Sequence, residues 1–192
     1  MTEPATALTD FALAALAVFF SVRFPHAPWW RRSFVACAAS ALLGAVYHGF
    51  RGAFPPLAVE ALWWATLVAA SVTCFAMMRA VTEQWLERRD PWIRAARLKL
   101  IVFLGVGMLL PVFGVVVADA SLTMIFATIV AIVKRGRDPR ASRLVLAGVA
   151  AFVAGAIVQQ SGFDPAPWFN HNDLFHAIQL VANTLFFLSA RV

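Results

Sequence analysis

The chain has 192 residues, of which 61% are hydrophobic and only 14% are charged; an ordinary soluble domain has about 25% charged residues. With a mean hydropathy of +0.77, this composition excludes a soluble globular domain, a disordered chain and a coiled coil. The net charge of +6 comes from basic residues between apolar runs, so it indicates membrane topology and not a nucleic-acid partner. We therefore expect one integral membrane domain over residues 1–192.

Seven apolar segments follow one another, each about as long as a membrane-spanning helix. They cover residues 5–23, 33–50, 57–79, 96–113, 115–133, 143–161 and 170–190. The first segment has no basic stretch before it and no small-residue cleavage site after it, so we expect a retained span and not a signal peptide. The fourth and fifth segments have no polar loop between them, but Pro111 and Gly114 near the middle favour two short spans joined by a tight turn.

The positions of the basic residues support this count and predict the orientation. Only Arg51 lies in an even-numbered loop; the other basic residues lie in loops 1, 3 and 5 or at the C-terminus. Loop 3 carries the largest group, which is Arg79, Arg88, Arg89, Arg94, Arg97 and Lys99. The positive-inside rule then predicts an all-α seven-transmembrane helix bundle with the N-terminus outside and the C-terminus in the cytoplasm. Short loops and few lysines favour a bacterial inner membrane.

Polar residues at membrane depth are costly and mark functional sites, and in this chain they collect near the predicted outer face. The second segment ends near His48, the third begins near Glu60, and Asp10 and Asp119 lie at outer starts or turns. The seventh segment begins with the polar run Asn170, His171, Asn172, Asp173 and His176. We therefore expect the functional site at this level.

Helical spacing places some of these residues on common faces. In the seventh segment the spacings of 4, 3 and 4 put a polar stripe on one side, formed by Asn172, His176, Gln179 and Asn183. Asp173 lies three residues before His176, close to that stripe. In the second segment Ser40, Gly44 and His48 are four residues apart, and the small residues allow a neighbouring helix to approach closely.

Imidazoles together with a carboxylate or an amide form a good ligand set for Zn²⁺. His48, Glu60 and the start of the seventh segment would supply such a set if the three helices meet. A second interpretation is open for part of it, because Asn or Asp at a first helical turn is often only a cap. A single interfacial histidine such as His48 is likewise often a packing residue.

The order of these residues resembles the CREST superfamily of seven-span membrane hydrolases, which includes the alkaline ceramidases and the progestin and adipoQ receptors. His48 matches the family histidine of span 2, Glu60 stands about where the family has an Asp, and His176 matches the second histidine of span 7. The chain departs from the pattern at two positions, with Gly44 at the family Ser and Asn172 at the first histidine of span 7.

The resemblance implies a zinc-dependent hydrolase acting on a lipid amide or ester that enters from the outer leaflet. Zn²⁺ is then held by His48, His176 and either His171 or Asn172. Glu60 or Asp173 accepts the proton of the activated water or orients a ligand. The partners are membrane lipids and a lipid substrate or ligand.

Two other functions fit the same residues. The first is a haem protein with His48 and His176 as axial ligands, the haem being non-covalent because C-x-x-C-H is absent. The second is a non-catalytic binding or assembly protein whose polar cluster closes the bundle or receives a small ligand, which Gly44 and Asn172 favour. A transporter is disfavoured, because the sequence has no inverted repeat and no paired broken helices.

Overall fold

The fold is described by a computed structural model that covers residues 2–24 and 26–191. This part of the chain is all-α, and 84% of its residues are helical. Its helices are α1 (Pro4–Ser21), α2 (Pro28–Phe50), α3 (Pro56–Trp85), α4 (Asp90–Leu109), α5 (Phe113–Lys134), α6 (Pro139–Ser161) and α7 (His171–Ser189), with a 3₁₀ turn at Arg51–Ala53. Each of the seven apolar segments corresponds to one α-helix.

Five of the described helices are long and apolar enough to cross a membrane, namely α1, α2 with the 3₁₀ turn, α3, α5 and α6. The remaining two are less apolar, because α4 begins with a charged stretch and α7 carries the polar stripe. These apolar helices agree with the membrane protein that the composition predicts.

The helix starts follow from local sequence. Proline lies in the first turn of five helices, where its fixed φ is suited to the helix and its missing N–H is not needed; these residues are Pro4, Pro28, Pro56, Pro91 and Pro139. Helix α7 begins with a capping box instead. The Asn170 side chain accepts hydrogen bonds from the N–H groups of Asn172 and Asp173, and the Asp173 carboxylate accepts the Asn170 N–H at 2.7 Å.

The tight turn predicted near Pro111 is present, since residues 110–112 separate α4 from α5. Proline lacks an N–H, and it disfavours helical geometry at the residue before it. The carbonyl of Pro111 accepts a hydrogen bond from Trp63 Nε1 of α3 at 2.8 Å. The break in the helix is therefore held against a neighbouring helix.

Six helices form a closed ring in the order α1–α2–α3–α5–α6–α7, and α7 packs back on α1. Helix α4 lies outside this ring, where it packs against α3 and α5. Glycines allow α6 and α7 to approach closely, because a Cβ at Gly148 would lie 2.7 Å from Phe186 Cε1 and a Cβ at Gly155 would lie 3.1 Å from Gln179 Nε2.

One end of the ring is closed by aromatic side chains. The rings of Phe20 and Phe187 stack with centroids 4.1 Å apart, and Phe34 meets Phe20 edge-on at 5.4 Å. Trp30 Nε1 donates to Gln84 Oε1 at 2.7 Å in the same region. We call Phe20, Phe34 and Phe187 the aromatic plug. His48 and His176 lie at the ends of α2 and α7 that are farther from this plug, so the polar residues lie at the other end of the ring.

The placement of basic residues in loop 3 needs a correction. Only residues 86–89 separate α3 from α4, so Arg79 belongs to α3, and α4 contains Arg94, Arg97 and Lys99. Asp119, predicted at the outer turn or at the start of the fifth span, lies in the first half of α5. Lys99 and Asp119 form an ion pair, with side chains 9% and 0% exposed. A buried ammonium is tolerated within a helix when a carboxylate neutralises it.

Candidate functional site

The ring of helices encloses a cavity of about 380 Å³. All six ring helices line it, and none of its lining residues comes from α4. On α2 the lining residues occupy one face from Trp30 to His48, a rise of roughly 27 Å at 1.5 Å per residue. The cavity therefore extends along most of the length of the bundle.

The two ends of the cavity differ in chemistry. The end away from the aromatic plug is polar and includes Asp10, His48, His171, Asn172 and His176. Towards the plug the lining is mostly apolar, with residues such as Phe34, Met77, Met124 and Phe186. The α7 stripe faces inward, since Asn172, His176, Gln179 and Asn183 all line the cavity. The cavity is thus polar at one end and mostly apolar along the rest of its length, which suits an amphiphilic ligand.

His48 is oriented by the N-terminal segment of the chain. Its Nδ1 lies 2.5 Å from Glu3 Oε2, and the other Glu3 oxygen lies 2.6 Å from Arg51 Nη2. The Glu3 carboxylate, which is paired with Arg51, accepts hydrogen bonds. His48 Nδ1 therefore carries the proton and donates it to Glu3 Oε2. Within residues 2–24 and 26–191, no group hydrogen-bonds His48 Nε2, so that nitrogen has no partner within the described part of the protein.

The tautomer of His176 follows from the hydrogen bonds of Thr9. The Thr9 hydroxyl donates to Thr6 O at 3.0 Å, so its oxygen accepts from His176 Nδ1 at 3.1 Å. His176 Nε2 then faces Asp10 Oδ1 at 3.3 Å. A nitrogen lone pair and a carboxylate oxygen repel each other, so this contact requires a proton or a cation shared between them.

His171 shows the same arrangement at a more exposed position. Its Nδ1 lies 2.8 Å from Asp164 Oδ1, and its backbone N–H donates to the same oxygen at 2.9 Å. These hydrogen bonds hold the pKa of the Asp164 carboxyl below its usual range. The His171 side chain is 30% exposed, against 17% for His48 and 12% for His176. It lines the cavity, and its Nε2 has no hydrogen-bond partner in the described part of the chain.

Asp10 is a cavity residue that the sequence groups with the other polar residues but that was not predicted as a ligand or catalytic group. It lies on α1 and is 4% exposed, and a Cβ at Gly44 would lie 2.9 Å from Asp10 Oδ2. Its carboxylate therefore fills the space that a Ser side chain at position 44 would need. Spacing along one helix cannot predict a contact among α1, α2 and α7, and the only signal was a carboxylate within the first apolar segment.

Neither of the two acids predicted to be catalytic is among the residues that line the cavity. Glu60 is exposed on α3, and it is not among the residues that line the cavity. Asp173 is 1% exposed and accepts the Asn170 N–H as part of the capping box. The capping interpretation of Asn170 and Asp173 is thus correct for their hydrogen bonds.

The ligand set can be compared with what a metal ion needs. No three His, Cys, Asp or Glu side chains come together at metal-binding distance in residues 2–24 and 26–191. The donor chemistry nevertheless fits, because each cavity histidine has its Nδ1 bound to an oxygen, as in metal sites where a second shell orients the ring. Asp10 Oδ2 adds a buried oxygen without a hydrogen-bond partner in the same region.

Fold and site together define a membrane-type helical bundle with an internal cavity that is polar at one end. The chain belongs to a family described as a family of unknown function (DUF6962), whose model matches residues 5–192. No curated protein and no solved structure matches the chain.

Proposed function

We propose that all seven helices span the membrane, with the N-terminus outside and the C-terminus in the cytoplasm. Helices α4 and α7 contain 20 and 19 residues. At 1.5 Å per residue they reach roughly 30 Å and 28 Å, close to the ~30 Å thickness of the hydrocarbon core. The closed ring supports a seventh span, because α7 packs between α1 and α6, which are both long and apolar. The distribution of basic residues supports the orientation.

We propose further that the cavity is the site of a metal-dependent hydrolase that acts on a lipid amide or ester. One observation carries this proposal. Three histidines line the polar end of a long, mostly apolar cavity, and in each of them an oxygen partner engages Nδ1. Nε2 has no hydrogen-bond partner among the described residues in His48 and His171, and in His176 it faces Asp10 Oδ1 at 3.3 Å.

The residues that would hold Zn²⁺ are His48 and His176, with Asp10 and one of His171 or Asn172 completing the set. Bound there, Zn²⁺ would supply an activated water near neutral pH and would polarise the scissile carbonyl. Asp10 is included because Oδ1 lies 3.3 Å from His176 Nε2, a contact that a shared cation would make favourable.

The chain itself contributes orientation, proton transfer and a dry binding site. Glu3 and Thr9 fix the rings of His48 and His176 through Nδ1. Asp10 Oδ2 would accept a proton from the water, because Asp10 lines the cavity and neither Glu60 nor Asp173 does. The apolar length of the cavity binds an acyl chain and excludes water from the polar end.

Metal content tests the proposal directly. We expect elemental mass spectrometry on detergent-purified protein to find one zinc per chain, lost in His48→Ala and in His176→Ala. The matched control is His26→Ala, because His26 is exposed and lies outside the cavity. Zinc that disappears equally in the control, or is absent from the wild type after metal-replete purification, contradicts the metal site.

A second function is binding without turnover, and one observation favours it. Asp10 occupies the space beside Gly44 where the resemblance expects a Ser, so the group that would assist the reaction has been replaced. The two functions differ in their products. Zinc-loaded protein that releases fatty acid from a lipid amide or ester supports hydrolysis, whereas stoichiometric lipid retention without release supports binding.

A further inference from the structure

A second depression lies on the outer surface of the ring, between α2 and α3. It has a volume of about 470 Å³ and shares no lining residue with the internal cavity. It extends along α2 from Pro28 to Ala39, a rise of roughly 16 Å. We call this depression the α2–α3 groove.

Most of the surface that lines the groove is apolar. Small residues form part of it, namely Ala36, Ala39 and Ala76, and the exposed side chains of Val35 and Val72 flank them. Alanines between two helices leave space along the helix axis that larger side chains would fill. The apolar length of the groove therefore suits one alkyl chain.

The start of α2 places two cations at one end of the groove. Arg31 and Arg32 are both exposed, and neither pairs with a carboxylate anywhere in the described residues. By contrast Arg79, which packs near them, is balanced by Glu83 at 2.8 Å. The positive charge of Arg31 and Arg32 is thus uncompensated within the protein.

Trp29 forms the boundary between the charged and apolar parts. The Arg32 and Arg79 guanidinium carbons lie 4.4 Å and 4.2 Å from its ring centroid, and Phe75 meets the ring edge-on at 5.6 Å. Tryptophan is enriched at the interface between headgroups and hydrocarbon. A fixed Trp29 therefore places the arginines at headgroup level and the alanines at chain level.

We propose that the α2–α3 groove is a binding site for an anionic phospholipid of the surrounding membrane. Arg31 and Arg32 bind the phosphate, and one acyl chain lies along Ala36 and Ala39. Two uncompensated cations at the membrane surface favour a net-negative headgroup over a zwitterionic one, and basic sites between helices on the cytoplasmic side are known to select such lipids. The inference does not depend on hydrolysis or on a metal in the internal cavity.

The first test compares headgroups that carry the same chains. Native mass spectrometry of the detergent-purified full chain would be titrated with dioleoyl phosphatidylglycerol and with dioleoyl phosphatidylcholine. We expect tighter binding of phosphatidylglycerol to the wild type. In Arg31→Gln/Arg32→Gln this preference falls roughly 25-fold, since each surface arginine contributes roughly fivefold.

The matched control is Arg140→Gln/Arg143→Gln. These two arginines are exposed near the start of α6, on the same predicted side of the membrane, and the change in net charge is identical. The control should keep the wild-type preference. An equal loss in both double variants would show that net charge alone attracts the lipid, and it would overturn the site.

A second variant tests the acyl chain without changing any charge. Ala39→Leu fills the apolar end of the groove and should weaken phosphatidylglycerol binding by roughly fourfold for each chain methylene that it excludes. Free glycerol phosphate, which has no chain, should not compete at matched concentration. Unchanged binding in Ala39→Leu, or full competition by glycerol phosphate, would mean that the arginines bind phosphate but that the groove binds no lipid. Thermal unfolding in lipid-free detergent confirms that each variant is folded.

Discussion

Two buried carboxylates in this bundle have opposite surroundings. Asp10 and Asp119 both lie within helices, and each has one oxygen without a hydrogen-bond partner among the described residues. Asp119 faces the ammonium of Lys99 at the joint between the ring and α4, and it is not part of the cavity wall. Asp10 faces the imidazole of His176, has the Asp173 carboxylate nearby, and lines the polar end of the cavity.

The difference shows that burial of an acid does not by itself identify a functional site. Where a fixed cation neutralises the carboxylate away from any cavity, the pair joins two elements, as Lys99 joins α4 to α5. Where the carboxylate faces a neutral ligand atom beside a cavity, its charge remains available for a proton or a metal ion. The position of the counter-charge therefore separates the two roles.

The sharpest test of this comparison removes the cation of the structural pair. Lys99→Met leaves Asp119 buried without its partner and should destabilise the protein by about 3–5 kcal/mol. Lys99→Met/Asp119→Asn should recover much of this loss, because no uncompensated charge remains. The measurement is the free energy of unfolding in detergent.

Lys134→Met is the control for removal of a lysine, since Lys134 ends α5 and forms no ion pair in the described residues. If Lys99→Met costs no more than Lys134→Met, then the Lys99–Asp119 pair does not hold α4 on the ring, and the comparison fails.

Packing gives a second contrast between the ring and α4. Gly148→Ala places a Cβ 2.7 Å from the Phe186 ring between α6 and α7, and overpacking of this kind costs about 1–3 kcal/mol. Gly105→Ala on α4 has no atom within 4 Å of the new Cβ and should be neutral or slightly stabilising. The unfolding midpoints of both variants measure this difference in packing. Equal destabilisation by the two substitutions would contradict a tightly packed ring with a loosely packed α4.

The helices and one face of the site were predictable because they depend on local pattern. Pro111 interrupts an apolar run that is too long for one span, and the break is found at residues 110–112. The spacing of Asn172, His176 and Gln179 places them on one side of α7, and all of them line the cavity. Both predictions use residues within one helix or one turn.

The rest depends on which helices become neighbours, which local spacing does not determine. Asp10 reaches His176 only because α7 closes the ring against α1, and Lys99 reaches Asp119 only because α4 packs against α5. Glu60 matched the resemblance by its distance along the chain, but it lies on the outer face of α3. To predict a contact between helices one must know which helices are neighbours in the bundle, and the spacing of residues along one helix does not contain that information.

Asp10→Asn sharpens the comparison from the functional side. The change keeps the shape of the side chain, and the new amide N–H donates to His176 Nε2, so the free energy of unfolding should change by less than about 1 kcal/mol. Asp119→Asn should cost more, because it leaves the Lys99 ammonium buried without an anion. Zinc content should fall in Asp10→Asn and stay unchanged in Asp119→Asn. Equal destabilisation by the two substitutions would show that the carboxylates play the same role.

The smallest effect is expected for the pair between Asp164 and His171, because this carboxylate is exposed whereas Asp10 and Asp119 are buried. Hydrogen bonds from His171 lower the pKa of the Asp164 carboxyl, so their stabilisation is present above about pH 4, the ordinary range of an Asp, and is lost as the pH falls through the lowered pKa. Hydrogen exchange should therefore show protection of the His171 amide decreasing in acid, because its N–H donates to Asp164 Oδ1. The Leu174 amide donates to the backbone carbonyl of Asn170, which does not titrate, and it should keep its protection. In Asp164→Asn the His171 amide should lose its pH dependence, and a persistent dependence would assign the titration to another group.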